Sequence, residues 1–127
     1  MSLLFDASSV FELIKVKGAD ALRYVKGNYT ISLVHYELGN VLWKYRNKIN
    51  VELVFDAIAK LLSEMNVIHV NIDKEILNEA INEAIKHNVT YYDMAYLLTS
   101  KRLNVKLVTE DKKLIEFGGI RISQLNI

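Results

Sequence analysis

Short apolar runs alternate with longer amphipathic stretches along the whole chain, and that alternation limits its fold more than any other feature. Leu3-Leu4-Phe5, Tyr29-Thr30-Ile31, Val67-Ile68-His69-Val70 and Val105-Lys106-Leu107-Val108 are too short for helices and carry β-branched or bulky apolar side chains, so they read as strands. The segments between them place apolar residues at helical spacing. Val51, Val54, Phe55, Ile58, Leu61, Leu62 and Met65 form one stripe, and Ile76, Leu77, Ala80, Ile81, Ala84 and Ile85 another. Strands that alternate with helices imply a parallel sheet covered on both faces, with right-handed crossovers. The expected class is α/β: three layers, with a parallel central sheet of four to five strands flanked by helices. Ile120-Arg121-Ile122 is the optional last strand.

Local signals divide the chain further. Ser8 or Ser9 is expected to cap a helix through Phe11, Leu13 and Ile14 that Gly18 breaks, with a second short helix from Ala19 to Val25 and a turn at Gly27-Asn28. Ser32 is expected to cap a helix running to about Arg46, and Asn50 and Asp73 to start the two striped helices. Thr90 caps the next helix, whose Met94-Ala95-Tyr96-Leu97-Leu98 is apolar on all sides and therefore buried; Asn104 ends it. A short helix near Lys112 to Phe117 precedes the Gly118-Gly119 break.

The 127 residues suit one domain, 1–127, with a real core. The lack of cysteine excludes disulfides, thiolate metal sites and cysteine nucleophiles. The first ten residues carry no basic leader, and no run approaches the roughly 20 apolar residues of a membrane span, so a soluble, cytoplasmic protein without membrane attachment is expected. A net charge of +1 gives no global attraction for nucleic acid, so any such binding must come from local clusters. Lys15 and Lys17, Lys44, Arg46 and Lys48, and Lys112 and Lys113 are the candidates, each with an ordinary surface lysine or arginine as its bland alternative.

In open parallel sheets, sites form beyond the carboxyl ends of the strands. Asp6 and Asp111 both follow a strand. Asp73, Glu75, Glu79, Glu83, Glu52 and Glu64 fall off the apolar stripes and read as solvated. Glu37 differs: it lies three residues after Val34 and four before Val41, on the apolar face made by Val34, Leu38, Val41, Leu42 and Tyr45. A carboxylate there needs a partner. Bland alternatives exist for all four acids: a buried ion pair for Glu37, a capping-box acid for Asp93, a turn residue for Asp111 and a helix cap for Asp6. Two carboxylates about 4 Å apart repel by about 4 kcal/mol at an effective dielectric of 20, so four converging acids require a cation or bound protons. An all-oxygen set suits Mg²⁺ or Mn²⁺.

These pieces carry a resemblance. Leu4-Phe5-Asp6-Ala7-Ser8, Tyr36-Glu37-Leu38-Gly39-Asn40-Val41-Leu42, Tyr92-Asp93-Met94-Ala95-Tyr96 and Leu107-Val108-Thr109-Glu110-Asp111 resemble, in order and spacing, the PIN domains of VapC-type toxin ribonucleases. No single piece is specific; together they are. The resemblance implies a PIN-like fold in which Asp6, Glu37, Asp93 and Asp111 ring a divalent metal, supported by Ser8, Asn40 and Thr109. It alone places Asp93 on the same edge as Asp6, because the helix bearing Asp93 follows another helix. It implies a divalent-metal-dependent endoribonuclease, the toxin of a type II toxin–antitoxin pair, acting on RNA, dimeric, and neutralised by a small VapB-like antitoxin. The expected chemistry is phosphodiester hydrolysis with Mg²⁺ or Mn²⁺, Asp93 orienting or deprotonating the attacking water. A catalytically silent RNA- or protein-binding module on the same fold is the alternative. A phosphoacceptor receiver domain is disfavoured, since it gives Glu37 no role.

Other features point elsewhere. His35, His69 and His87 are scattered, which leaves a histidine metal site or a Ser-His-Asp triad without support. Gly118-Gly119 lacks the spacing and lysine of a phosphate loop. Trp43 and the seven tyrosines read as core and interface rather than as stacking platforms. The striped helices, with Phe11 to Val25, carry more apolar surface than a small sheet covers, so a homodimer or antitoxin contact is expected there. Removing one charge from the acid cluster, as in Asp6→Asn, Asp93→Asn or Glu37→Gln, is expected to leave the metal-free fold as stable or more so.

Overall fold

The computed structural model describes residues 2–125. Four short strands, β1 (Leu3–Phe5), β2 (Tyr29–Ile31), β3 (Asn66–Ile68) and β4 (Lys106–Val108), form one parallel sheet in the order β3-β2-β1-β4. Leu4 is in register with Tyr29 on one side and Leu107 on the other, and Thr30 with Val67. The chain builds outward from β1 to β2 to β3, then returns to lay β4 on the free side of β1. Strand order therefore reverses at β1, and a crevice opens beyond its carboxyl end and that of β4.

Side chains alternate across the sheet, as the two-residue period of a strand requires. Leu3 and Phe5 join a core with Val10, Leu13, Val25, Val34, Leu38, Ile58 and Leu61. These come from α1 (Ala7–Lys17), α2 (Ala21–Val25), α3 (Val34–Lys44) and α4 (Val51–Ser63). Leu4 points the other way, into a core with Ile31, Ala80, Ala84, Met94, Tyr96, Leu97 and Leu107. That layer is α5 (Lys74–His87) and α6 (Tyr91–Leu103). Helix α6 is sandwiched between the sheet and α5, and so Met94 to Ser100 are all buried. Its outer end is tied to α5 by Arg102, which reaches Glu75 at 3.2 Å, Glu79 at 3.5 Å and Asp73 at 3.8 Å.

Asn50, Asp73 and Thr90 accept hydrogen bonds from Leu53 N, Ile76 N and Asp93 N, and Asn104 closes α6 in the left-handed region at φ 56. Three local expectations fail. Helix α1 is capped by Asp6, as the alternative reading of that residue had it, and not by Ser8 or Ser9. Helix α3 starts after Leu33 with no side-chain cap and ends at Lys44; the Ser32 hydroxyl donates to Asn71 instead, at 3.4 Å. The segment Ile120–Ile122 gives one bridge, Val108 to Ile120, before a 3₁₀ turn at Ile122–Gln124, so the sheet stops at four strands.

Helix α4 leaves Leu53 and Phe55 more than half exposed, and α5 leaves Ile85 so. Among the described residues no helix is long and apolar enough to cross a membrane.

Candidate active site

Helix α1 follows β1 directly, and its first turn needs an acceptor for free N–H groups. Asp6 supplies it: Oδ1 accepts from Ser9 N at 2.9 Å and from the Ser8 hydroxyl at 2.8 Å. Its other oxygen, Oδ2, accepts from the Thr109 hydroxyl at 2.5 Å. Thr109, at the end of β4, in turn accepts from Asp111 N at 3.0 Å, while Ser8 accepts from Glu110 N at 3.0 Å. The ends of β1 and β4 are thus laced together through two hydroxyls. Gly119 backs the lacing: a Cβ there would come within 2.7 Å of the Thr109 methyl and 2.9 Å of Leu114 O. Asp111 caps the last helix, α7 (Lys112–Glu116), by accepting from Leu114 N at 3.1 Å.

The other two acids arrive on helix faces. Glu37 lies in the first turn of α3 and Asp93 in the first turn of α6. All four carboxylates, Asp6, Glu37, Asp93 and Asp111, line one cavity of about 500 Å³, together with Ser8 and Asn40. Thr109 stands behind it, fully buried. Each acid sits at the amino-terminal end of a helix, where the partial positive charge of the peptide dipoles offsets part of their mutual repulsion. Among the described residues none of the four makes an ion pair within 4.0 Å.

The electrostatic consequence is uneven. Burial pushes the Asp6 carboxyl up, while its hydrogen bonds from Thr109, Ser9 and Ser8 pull it back. Burial also raises Glu37, the nearby Tyr96 hydroxyl lowers it, and the charges of Asp93 and Asp6 raise it again. Asp93 is pushed up to about 6 by burial and then by the charge of Asp111. The Glu37 Oε1 and Tyr96 hydroxyl atoms are buried without a hydrogen-bond partner. The two side chains face each other closely enough that each shifts the other's titration.

An unpartnered buried carboxylate oxygen, an all-oxygen donor set and the crowding of four acids fit a hard divalent cation such as Mg²⁺ or Mn²⁺. Among the described residues no group of three or more acids or histidines is set to hold a metal ion as the side chains stand. The fit is therefore to a hydrated ion, which needs few direct protein ligands.

Sequence reasoning missed the aromatic part of the cavity. Tyr36 and Tyr92 line it and are 80% and 55% exposed, so they are neither core nor, among the described residues, covered by anything. Tyr96 is core, but its hydroxyl faces the acids. The signal was position: Tyr36 and Tyr92 each precede a site acid, and Tyr96 lies one helical turn after Asp93. The cations are partly engaged. Lys15 pairs with Glu12 at 3.3 Å, Arg46 lies over Trp43 at 4.6 Å, and Lys113 donates to Asn88 O at 2.8 Å.

Comparison with known proteins gives a consistent result. The PIN domain family matches residues 4–120. The chain is 29% identical over 123 residues to Ribonuclease VapC3 of Pyrobaculum aerophilum, covering 91% of this chain and 94% of that protein. It is 27% identical over 117 residues to Exonuclease VapC9 of the same organism, covering 88% and 82%. The crystal structure of PAE2754, also from Pyrobaculum aerophilum, superposes with a TM-score of 0.81 at 24% identity, over 97% of this chain and 85% of that one.

Proposed function

The chain belongs to the PIN-domain family, and from that premise we propose that it is a VapC-type ribonuclease, the toxin of a toxin–antitoxin pair, cutting RNA internally with the help of Mg²⁺ or Mn²⁺. Residues 1–127 are read as one such domain. One observation carries the proposal: four carboxylates from four helix ends line a single cavity and, among the described residues, none has a cationic side chain within 4.0 Å. The kinship with proteins named Ribonuclease VapC3 and Exonuclease VapC9 supports nuclease chemistry.

In this reading Asp6, Glu37, Asp93 and Asp111 hold the ion, with Ser8, Asn40 and Thr109 as polar supports. The ion, when bound, polarises a phosphoryl oxygen and acidifies water. The protein does the rest. Asp6, fixed by three donors, gives the cluster a rigid corner. Asp93, whose carboxyl burial and the charge of Asp111 push up to about 6, stands in the first turn of α6 facing the cavity and is assigned to orient the attacking water and take up its proton. Burial and the charges of Asp93 and Asp6 raise the Glu37 carboxyl, and a bound cation would oppose that rise.

The partner surface follows from the exposed apolar residues. Leu53 and Phe55 of α4 and Ile85 of α5 are assigned to a homodimer or to the antitoxin. The competing reading, a silent RNA- or protein-binding module, draws on the lack of a preformed three-ligand set among the described residues.

Incubation of linear and circular RNAs with Mg²⁺ or Mn²⁺, against EDTA, separates these. Metal-dependent linearisation of circles is expected, and Asp93→Asn should slow it about 10²–10⁴-fold. Shortening of linear RNA alone would make the enzyme an exonuclease. A folded protein that cuts neither, and whose melting temperature ignores millimolar Mn²⁺, would be the silent module.

A further inference from the structure

A second hollow of about 660 Å³ adjoins the acid cleft, and the two share Leu33, Tyr36 and Tyr92 as a common ridge. Their linings differ in kind. The cleft is acidic. Among the described residues the hollow is lined by no acid, lysine or arginine; its polar groups are Ser32, Asn71, the Tyr91 hydroxyl and the imidazoles of His35 and His69. No ammonium or guanidinium offers a phosphate a fixed counter-charge there, and no carboxylate offers one to a cation. A flat uncharged heterocycle with hydrogen-bonding edges finds both an aromatic ridge and an amide-bearing wall. Unpaired RNA bases are recognised in this way, by stacking on aromatic rings and by hydrogen bonds to their edges. The Asn71 side chain, held by Ser32 at 3.4 Å, is the group whose carbonyl and amide can read such an edge.

We propose that this hollow is a base-binding subsite for an unpaired nucleotide of RNA next to the scissile phosphate, with Tyr36 and Tyr92 as its stacking ridge and Asn71 as its edge reader. The inference deepens the ribonuclease reading and rests on it for the identity of the neighbouring phosphate. It rests on its own observations for the base: the shared ridge, the bareness of Tyr36 and Tyr92 at 80% and 55% exposure, and a lining without acid, lysine or arginine. It also makes the substrate specific in kind. A duplex, whose bases are stacked and paired, cannot enter; a loop or single-stranded stretch can.

The test uses short single-stranded oligoribonucleotides carrying 2-aminopurine, whose emission falls on stacking. Binding is read in Mg²⁺ with the Asp111→Asn protein, because Asn still caps α7 while the lost charge spares the RNA. Emission should be quenched on binding at one position of the label. Adding Tyr36→Ala and Tyr92→Ala should abolish the quench and weaken binding about tenfold or more; Tyr36→Phe with Tyr92→Phe should restore both. In the otherwise unaltered protein, an abasic site next to the cut should raise KM about tenfold, with kcat unchanged. The double alanine variant should not feel the abasic site. Quenching without any Mn²⁺-dependent cleavage would uphold the base site and defeat the nuclease reading. Normal cleavage with no quench, and equal KM for intact and abasic RNA in both proteins, would overturn the subsite and leave the ridge to a protein partner.

Discussion

The strand-end acids Asp6 and Asp111 and the helix-face acids Glu37 and Asp93 line one cavity but are held in opposite ways. Asp6 is 3% exposed, yet all three donors it faces are satisfied. Asp111 caps α7 and donates its backbone N–H to the Thr109 hydroxyl oxygen. These two are part of the scaffold: without them the ends of β1 and β4 lose their lacing and two helices lose their caps. Glu37 has a buried oxygen with no partner, and Asp93 is strained towards its protonated form. Neither anchors another element through its carboxylate. The comparison separates acids that build the site from acids whose charge is left over for something that is not protein.

The largest effect expected from that contrast is on metal-free stability. Asp6→Ala removes a helix cap and strands the Ser8 and Thr109 hydroxyls, a loss of about 2–4 kcal/mol. Glu37→Gln keeps shape and removes a charge from a crowded anionic cavity, so its melting temperature in EDTA should equal or exceed that of the unaltered protein. Thermal unfolding of both, beside Glu79→Gln, reads the difference. If Glu37→Gln fell as far as Asp6→Ala, Glu37 would be half of a buried ion pair and the contrast would collapse. At Asp6, where burial raises the carboxyl in spite of its three donors, the isosteric Asp6→Asn, which still accepts from Ser9 N, separates the lost charge from the lost hydrogen bonds.

A second test turns on pH. The Asp93 carboxyl is pushed up to about 6, chiefly by burial, from an ordinary 3.8. A carboxyl whose folded pKa exceeds its unfolded one binds its proton more tightly in the folded state. The folded state is therefore favoured by protonation, and stability falls as pH rises from about 4 through about 6. Glu37 and Asp6 are raised too and act in the same direction. Urea midpoints in EDTA across that window should decline for the unaltered protein and flatten for Asp93→Asn. Identical slopes in the two proteins would remove Asp93 from the account; saturating Mn²⁺ should abolish the decline.

Much of this is legible in the sequence. The alternation of apolar triplets with striped helices determined a parallel sheet with two covered faces, because nothing else buries both. Glu37 stood out because its helical phase contradicted its charge. Asp6 and Asp111 were marked by following strands. The position of Asp93 was not derivable: its helix follows α5 without a strand between, so no strand-end rule reaches it, and only the resemblance placed it. Caps misled at α1 and α3. A serine before a helix is a common cap, but at α1 the preceding aspartate competes for the same N–H groups and wins, and at α3 the Ser32 hydroxyl turns to Asn71. The bareness of Tyr36 and Tyr92 was not legible, because composition says how many rings a chain has, not which way a ridge between two cavities turns them.

The smallest effect expected is at Glu110, and it sharpens the comparison most. Glu110 and Asp111 are adjacent acids after the same strand, and nothing in composition or spacing prefers one over the other. The structure sends them apart. Glu110 turns away from the cavity: Oε1 lies 3.7 Å from Arg121, and Oε2 accepts from Ile122 N at 3.0 Å. Asp111 turns in. Glu110→Gln can still accept from Ile122 N through its amide oxygen, so what it loses is a half-exposed ion pair, about 0.2–1 kcal/mol. Its RNA cleavage and its Mn²⁺-induced rise in melting temperature should match those of the unaltered protein. Asp111→Asn, which keeps its own cap, should lose most of both. Equal losses in the two variants would mean that β4 supplies charge to the site indiscriminately, and that the division between building acids and charge-bearing acids does not extend to that strand.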